Sequence, residues 1–217
     1  MSLRFLLSFV FFGALQVFSM DTNYLVVLRH GHGEHLISGV FSSLTEEEGG
    51  VDHHLTEQGC AEVTRTAQDL LKKGINRDNV KLVLVSPLNR TKETAQILVD
   101  CGVCAPEVLQ LEDKIREHMS NHLEGLVKKS LLEPGKDFEW VRERDFLEFL
   151  ADRGAESLED LFARIDSVLD FLENLSPSEG HIILVTHGAI VSTISSLYGD
   201  ESPTATAEAR IFPLPSR

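Results

Sequence analysis

Short apolar runs alternate with stretches of helical periodicity along most of the chain. Residues 24–29, YLVVLR, form an apolar run that ends at a glycine-rich turn, which predicts a buried strand. Residues 32–54 are polar and irregular and predict a loop. From Thr56 onward, apolar positions fall at Ala61, Val63, Ala67, Leu70 and Leu71 until Gly74, a helix with Thr56 as its N-cap. KLVLVS, residues 81–86, reads as a second buried strand. SPLNRTKETAQILVD then reads as a helix with Pro87 near its first turn, where a missing N–H costs little. Residues 107–111 predict a short strand. The stretch 113–150 is acidic and irregular, with a helical part around 137–150. SLEDLFARIDSVLDFLENL puts Leu158, Leu161, Phe162, Ile165, Val168, Leu169 and Leu172 on one helical face. HIILVTHG, residues 181–188, repeats the opening pattern of apolar strand, polar residue, histidine and glycine. AIVSTISSLYG reads as a helix ending at Gly199, and ARIFPL as an edge strand, since Pro213 cannot donate to a central ladder.

Strands that alternate with helices imply an α/β fold, here a three-layer α/β/α sandwich with a mostly parallel central sheet. The first 19 residues stand apart. One early cation, Arg4, precedes an apolar run from Phe5 to Phe18 that is shorter than the roughly 20 residues of a bilayer span. Val17 and Ser19 sit at the spacing a signal peptidase prefers, so residues 1–19 read as a secretory signal, with secretion or periplasmic export of the remainder. No stable membrane anchor is expected. A start at Met20 would instead give a cytoplasmic protein. Residues 20–217 read as a single domain without an internal linker.

Charge narrows the partners. The formal net charge is -14, which argues against a nucleic-acid partner, because binding a phosphate backbone needs clustered Lys and Arg. A local cationic pocket for a small phosphate remains compatible with an acidic protein. The three cysteines Cys60, Cys101 and Cys104 cannot pair completely; the CGVC pair, Cys101 and Cys104, reads as two buried thiols or, after export, as a small disulfide.

Ligands in open α/β sheets bind at the carboxyl ends of the strands. Three strand ends carry candidate groups: Arg29-His30-Gly31, Ser86-Pro87-Leu88-Asn89-Arg90 and Thr186-His187-Gly188. If those strands are neighbours, two arginines and two histidines converge. Guanidinium groups match tetrahedral oxyanions in bidentate geometry, and a glycine after each histidine lets the backbone approach the ligand. A histidine in such a pocket, neutral at one nitrogen, can attack phosphorus.

LRHGHGEH, LTEQG, SPLNRTKETA, IREHMSNHLEG, GAESLEDLFARI and VTHG, in this order, resemble the histidine phosphatase superfamily of phosphoglycerate-mutase-like fold. The resemblance spans nearly all of residues 24–200. It implies His30 as a nucleophile that becomes phosphohistidine, with Arg29, Arg90 and His187 as the phosphate clamp. It implies Glu117 as proton donor, since Glu124-Gly125 follows at the family's spacing. Gly31, Gly188, Glu34 and His35 are expected to line the phosphate pocket. No metal and no cofactor are implied; the implied substrate is a phosphorylated small molecule or glycan. Mutase members usually carry Ser or Thr and then Asn where this chain has Gly33 and Leu36, which weighs against phosphotransfer between substrates and towards hydrolysis. Gly33 and Gly188 exclude the phytase-like branch. Asn121 stands where the family commonly has glycine.

Two further readings remain open at this point. A catalytically inactive phosphate-binding protein could share the fold. Cys101, Cys104, His118 and His122 also approach the spacing of a zinc finger, but the acidic residues Glu112, Asp113 and Glu117 and the larger α/β pattern argue against it.

Overall fold

The computed structural model describes residues 23–131, 143–175 and 180–214. The proposed signal segment therefore lies outside the described residues, as do residues 137–142 of the helix expected near 137–150.

Five strands form one sheet: β1 (Tyr24–Arg29), β2 (Val80–Val85), β3 (Leu109–Leu111), β4 (His181–Thr186) and β5 (Ala209–Pro213). Their order is β3-β2-β4-β1-β5. The first four run parallel, and β5 pairs antiparallel with β1 at the edge. Pro213 lies opposite Tyr24 at the end of that edge strand. This is the mostly parallel α/β sandwich that the alternating pattern predicts.

Strand alternation sorts the apolar side chains to two faces. Val26, Leu28, Val83, Val85, Ile183 and Val185 pack on α2 (Glu57–Lys72) and α3 (Asn89–Asp100) through Val63, Ala67, Leu70, Ala95 and Leu98. Leu25, Val27, Leu84, Ile182 and Leu184 pack on the opposite side against α5 (Leu158–Asn174) and α6 (Gly188–Leu197), through Leu161, Ile165, Val168, Leu172 and Ile190. Caps form as the side chains require: Thr56 Oγ1 accepts from Gly59 N, and Ser157 Oγ accepts from Asp160 N.

Two readings differ from expectation. Residues 32–54 include a short helix, α1 (Glu34–Ser38), and a 3₁₀ turn at Glu46–Glu48. Neither has enough turns to show a periodicity in sequence. Pro87 lies outside α3, whose N-cap is Leu88. Helix α4 (Glu143–Ala151) is the described part of the helix expected near 137–150.

Two glycines fix how β1 meets α2. A Cβ on Gly31 would lie 2.6 Å from Gly59 O, and one on Gly59 would lie 2.2 Å from His32 O. The turn after β1 and the first turn of α2 thus touch backbone to backbone. Gly59→Ala is expected to force them apart and to destabilise the fold by about 1–3 kcal/mol, the usual cost of overpacking. A change below about 0.5 kcal/mol in denaturant unfolding would contradict this contact.

Candidate active site

Strands β1, β4 and β2 are adjacent and end within one residue of one another. Arg29 pairs with Thr186, and Val85 with Val185. His30 and His187 therefore emerge at one level of the sheet, with Ser86 one residue below them beside Thr186. Arg90, at the start of α3, reaches back among them.

Arg90 is fully buried. Its Nε donates to His30 Nε2 at 3.2 Å, and its NH2 group donates to His187 Nδ1 at 3.2 Å and to Ser42 O at 2.8 Å. Its NH1 group donates to Ser42 Oγ at 3.2 Å. Burial pulls its pKa down to about 10, so it remains a cation at neutral pH. Both imidazoles respond. Burial, and then the charges of Arg90 and Arg29, hold His30 well below the usual histidine range. Burial and the Arg90 charge do the same for His187.

The tautomers follow from the partners. His30 Nδ1–H donates to Gly31 O at 2.6 Å, which leaves a lone pair on Nε2. His187 Nδ1 accepts from Arg90, so its proton is on Nε2, 2.8 Å from Ser86 Oγ.

The other clamp cation is Arg29. Its NH1 group donates to Thr204 O at 2.6 Å, while its Nε is buried without a partner. A Cβ on Gly188 would lie 3.4 Å from Arg29 Cζ, so the glycine leaves the guanidinium its room. Both arginines open onto a cavity of about 240 Å³ that Glu117, His35, Ser42 and Gly188 also line. Glu117 Oε2 lies 3.9 Å from His187 Nδ1.

Glu117 is held by an ion pair from another element. Arg164 on α5 grips Glu156 with Nε–Oε1 at 2.6 Å and NH2–Oε2 at 2.8 Å. It also donates to Lys114 O, Arg116 O and Glu117 O. Glu156 Oε2 accepts from Met119 N at 3.0 Å, and Glu156 N donates to Met119 O at 2.8 Å. One pair thus engages the backbone of Lys114, Arg116, Glu117 and Met119. Glu124 acts likewise on the 42–44 loop, where its carboxylate accepts from Ser43 N and Leu44 N. That loop presents Ser42 to Arg90. Asn121, between the two glutamates, has φ 51, a left-handed conformation that glycine or asparagine adopts at low cost.

The structure therefore brings together His30, Arg29, Arg90, His187, Glu117, His35 and Gly188. It moves two expected pocket residues elsewhere. Glu34 is exposed and faces the 53–54 loop, where its Oε2 lies 3.8 Å from His53 Nδ1. Consecutive residues on α1 point about 100° apart, so His35 turns inward while Glu34 turns out. Gly31 spends its missing side chain on α2 and its carbonyl on His30, and does not line the cavity. His118 is 5% exposed and lines the cavity. Phe41, Lys128, Phe146 and Leu150 also line it, and no spacing rule in the sequence points to them.

His30, Glu117 and His187 place one donor atom each within 4.8 Å of one another, the sole such group among the described residues. Arg90 engages a lone pair on both histidines and puts a fixed positive charge beside them, so the site suits an anion better than a metal ion. The cysteines Cys60, Cys101 and Cys104 are free, and the Cys101, Cys104, His118, His122 set forms no such group among the described residues.

A sequence profile of the histidine phosphatase superfamily (branch 1) matches residues 25–213. The chain belongs to that family. Solved structures support the fold. A phosphoglycerate mutase from Bacillus anthracis str. Sterne is 18% identical, with TM-score 0.68 over 88% of this chain and 88% of its own. A mycobacterial glucosyl-3-phosphoglycerate phosphatase in complex with VO3 is 22% identical, with TM-score 0.63 over 87% of this chain and 92% of its own. A phosphoglycerate mutase from Thermus thermophilus is 22% identical, with TM-score 0.57 over 87% and 91% of the two chains. No curated protein sequence matches significantly. As a member of a family of phosphatases and mutases, the protein has phosphate chemistry as its background.

Two outcomes test the site's construction. Arg164→Met strands the buried Glu156 carboxylate and is expected to cost about 3–5 kcal/mol of stability, with partial recovery in Arg164→Met/Glu156→Leu. A single variant as stable as wild type would contradict the staple. Three buried imidazoles, His30, His35 and His187, have depressed pKa values, chiefly through burial. Unfolded imidazoles take up protons below about pH 6.5, whereas these do not, so acid favours the unfolded chain. Stability should fall between pH 7 and pH 5, by up to about 1.4 kcal/mol per pH unit for each histidine. His35→Phe should shrink that slope by one such increment, and an unchanged slope would show that His35 is not buried neutral.

Proposed function

We propose that the protein hydrolyses phosphomonoesters through a phosphohistidine on His30. The observation that supports this best is the pairing of a buried cation with a histidine of fixed tautomer. Gly31 O holds the proton on Nδ1, and Arg90 caps the free lone pair on Nε2.

An incoming phosphate dianion offers better acceptors to Arg90 than an imidazole does, because charge-assisted hydrogen bonds are the stronger ones. Its oxygens take over the Arg90 N–H groups and supply a partner to the orphaned Arg29 Nε. His30 Nε2 is then uncapped and in line with phosphorus. His187 can donate to a phosphate oxygen from Nδ1 once its proton moves there, and Ser86 Oγ–H can then donate to His187 Nε2.

In the first step the Nε2 lone pair forms the N–P bond. The P–O ester bond breaks, and its electron pair leaves on the alcohol oxygen, which takes a proton from Glu117. In the second step water attacks phosphorus as Glu117 takes its proton, and the P–N pair returns to His30. The two guanidinium groups stabilise the charge that develops on the phosphoryl oxygens.

Hydrolysis is favoured over transfer between substrates because the Asn of the mutases is replaced by Leu36, which lines the cavity and offers no hydrogen bond. We further infer that residues 1–19 are removed on export. N-terminal sequencing of native protein should begin at or near Met20, and recovery of Met1 or Ser2 would contradict cleavage.

The mechanism is tested by trapping. Glu117→Gln with p-nitrophenyl phosphate, which needs little proton donation, should phosphorylate but hydrolyse slowly. Rapid quench into alkali and mass spectrometry should then find phosphate on the His30 peptide, and none in His30→Ala. Arg90→Ala should lose about 10²–10³ in rate, the usual effect of deleting an oxyanion donor. Phosphate on a serine, or turnover in His30→Ala, would overturn the chemistry.

A further inference from the structure

The cavity is lined by two unlike groups of residues. Arg29, Arg90 and Glu117 form one. Leu36, Phe41, Phe146, Leu147 and Leu150 form the other, brought together from α1, the loop after it and α4. Phe41, Leu147 and Leu150 are 5%, 4% and 2% exposed, so the cavity reaches the rim of a satellite hydrophobic core formed by Phe41, Leu123, Leu150 and Ala155.

The lining hydroxyls and His118 are committed to the protein itself, whereas His35, its ring 5.3 Å from that of His30, leaves Nδ1 unpartnered and belongs with the phosphate-binding residues. Ser42 Oγ donates to Val51 O at 2.8 Å and accepts from Arg90. Ser43 Oγ donates to Glu124 Oε2 at 2.8 Å and accepts from Ser120 N at 3.0 Å. Ser120 Oγ also donates to Glu124 Oε2. His118 Nε2 is 2.8 Å from Glu156 O. Lys128 holds its ammonium 5.3 Å from the centre of the Phe41 ring. Glu117 is the one carboxylate among the described lining residues, and no Asn, Gln or Asp lines the cavity there. A sugar or polyol placed against this wall would give up water for apolar carbon at each hydroxyl, which is unfavourable. An alkyl or aryl group would gain from the same transfer.

We propose that the leaving group is an apolar alcohol, so that the substrates are monoalkyl or arylalkyl phosphates in preference to sugar phosphates. The proposal rests on the phosphatase reading above and assigns the part of the substrate that carries no phosphate.

Ethyl, butyl and hexyl phosphate test it with the mature protein, because primary alcohols of this series have nearly equal leaving-group chemistry. Glucose 6-phosphate and glycerol 3-phosphate serve as polar primary esters. The value of kcat/KM should rise by about fourfold per methylene buried. Hexyl phosphate should exceed ethyl phosphate by roughly 10², and should exceed glucose 6-phosphate by at least about tenfold. Phe146→Ser should cut the hexyl-to-ethyl ratio by about tenfold, a ratio that does not depend on how much of the variant is folded. A flat ladder, a preference for glucose 6-phosphate, or a ladder untouched by Phe146→Ser overturns the apolar assignment while leaving a phosphatase. If neither these esters nor p-nitrophenyl phosphate is turned over, the phosphatase reading fails and the assignment falls with it.

Discussion

A buried guanidinium is the constraint on which the site depends. Arg90 sits without solvent contact at the carboxyl end of a parallel sheet. Removing such a charge from water is costly unless every N–H finds an acceptor. The acceptors here are the His30 and His187 ring nitrogens and the oxygens of Ser42. Each acceptor is in turn determined by something else. Gly31 O selects the His30 tautomer, Ser86 Oγ sits against the far nitrogen of His187, and Glu124 ties down the loop that carries Ser42. Both imidazoles must stay neutral, because a proton on either accepting nitrogen would face Arg90 directly. Four of the five N–H groups are bonded at rest and the group is still cationic, which makes it receptive to an anion.

The backbone supports this arrangement from two directions. The register of β1, β4 and β2 brings His30 and His187 to one level and Ser86 one residue below them. The Arg164–Glu156 pair holds the segment that carries Glu117 opposite them. Strand register is a property of the core, whereas Glu117 lies just after a 3₁₀ turn (Asp113–Ile115) and relies on the Arg164–Glu156 pair and on a bond from Thr186 Oγ1 to Ile115 O at 2.6 Å. Loss of the Arg164–Glu156 pair can therefore misplace the proton donor while the strand ends that carry His30 and His187 stay in place.

Much of this was legible in sequence. The apolar runs at 24–29, 81–86 and 181–186 and the helical spacing after Thr56 and Ser157 place the strands and helices. The charged residues at strand ends then mark Arg29, His30, Arg90 and His187. What was not legible depends on direction and distance. Adjacent residues on a five-residue helix send His35 inward and Glu34 outward, and no pattern in so short a segment shows which. Gly31 reads as clearance for a ligand but is clearance for a helix, because its neighbour Gly59 lies beyond a loop. Arg164 reads as one polar position on an amphipathic helix, yet its bonds reach Lys114, Arg116 and Glu117, far back in the chain. The apolar wall joins Leu36 and Phe41 to α4, segments that only the folded chain brings together.

The neutrality of the two imidazoles around Arg90 is the central claim, and nitrogen-15 NMR of imidazole-labelled protein at about pH 6, just below the ordinary histidine pKa, measures it directly. His30 should show a neutral ring protonated on Nδ1, and His187 a neutral ring protonated on Nε2. Inorganic phosphate should perturb the unprotonated nitrogen of both as Arg90 turns to the anion. An imidazolium pattern for His30 or His187 in the free protein at that pH, or spectra indifferent to phosphate, would contradict the account.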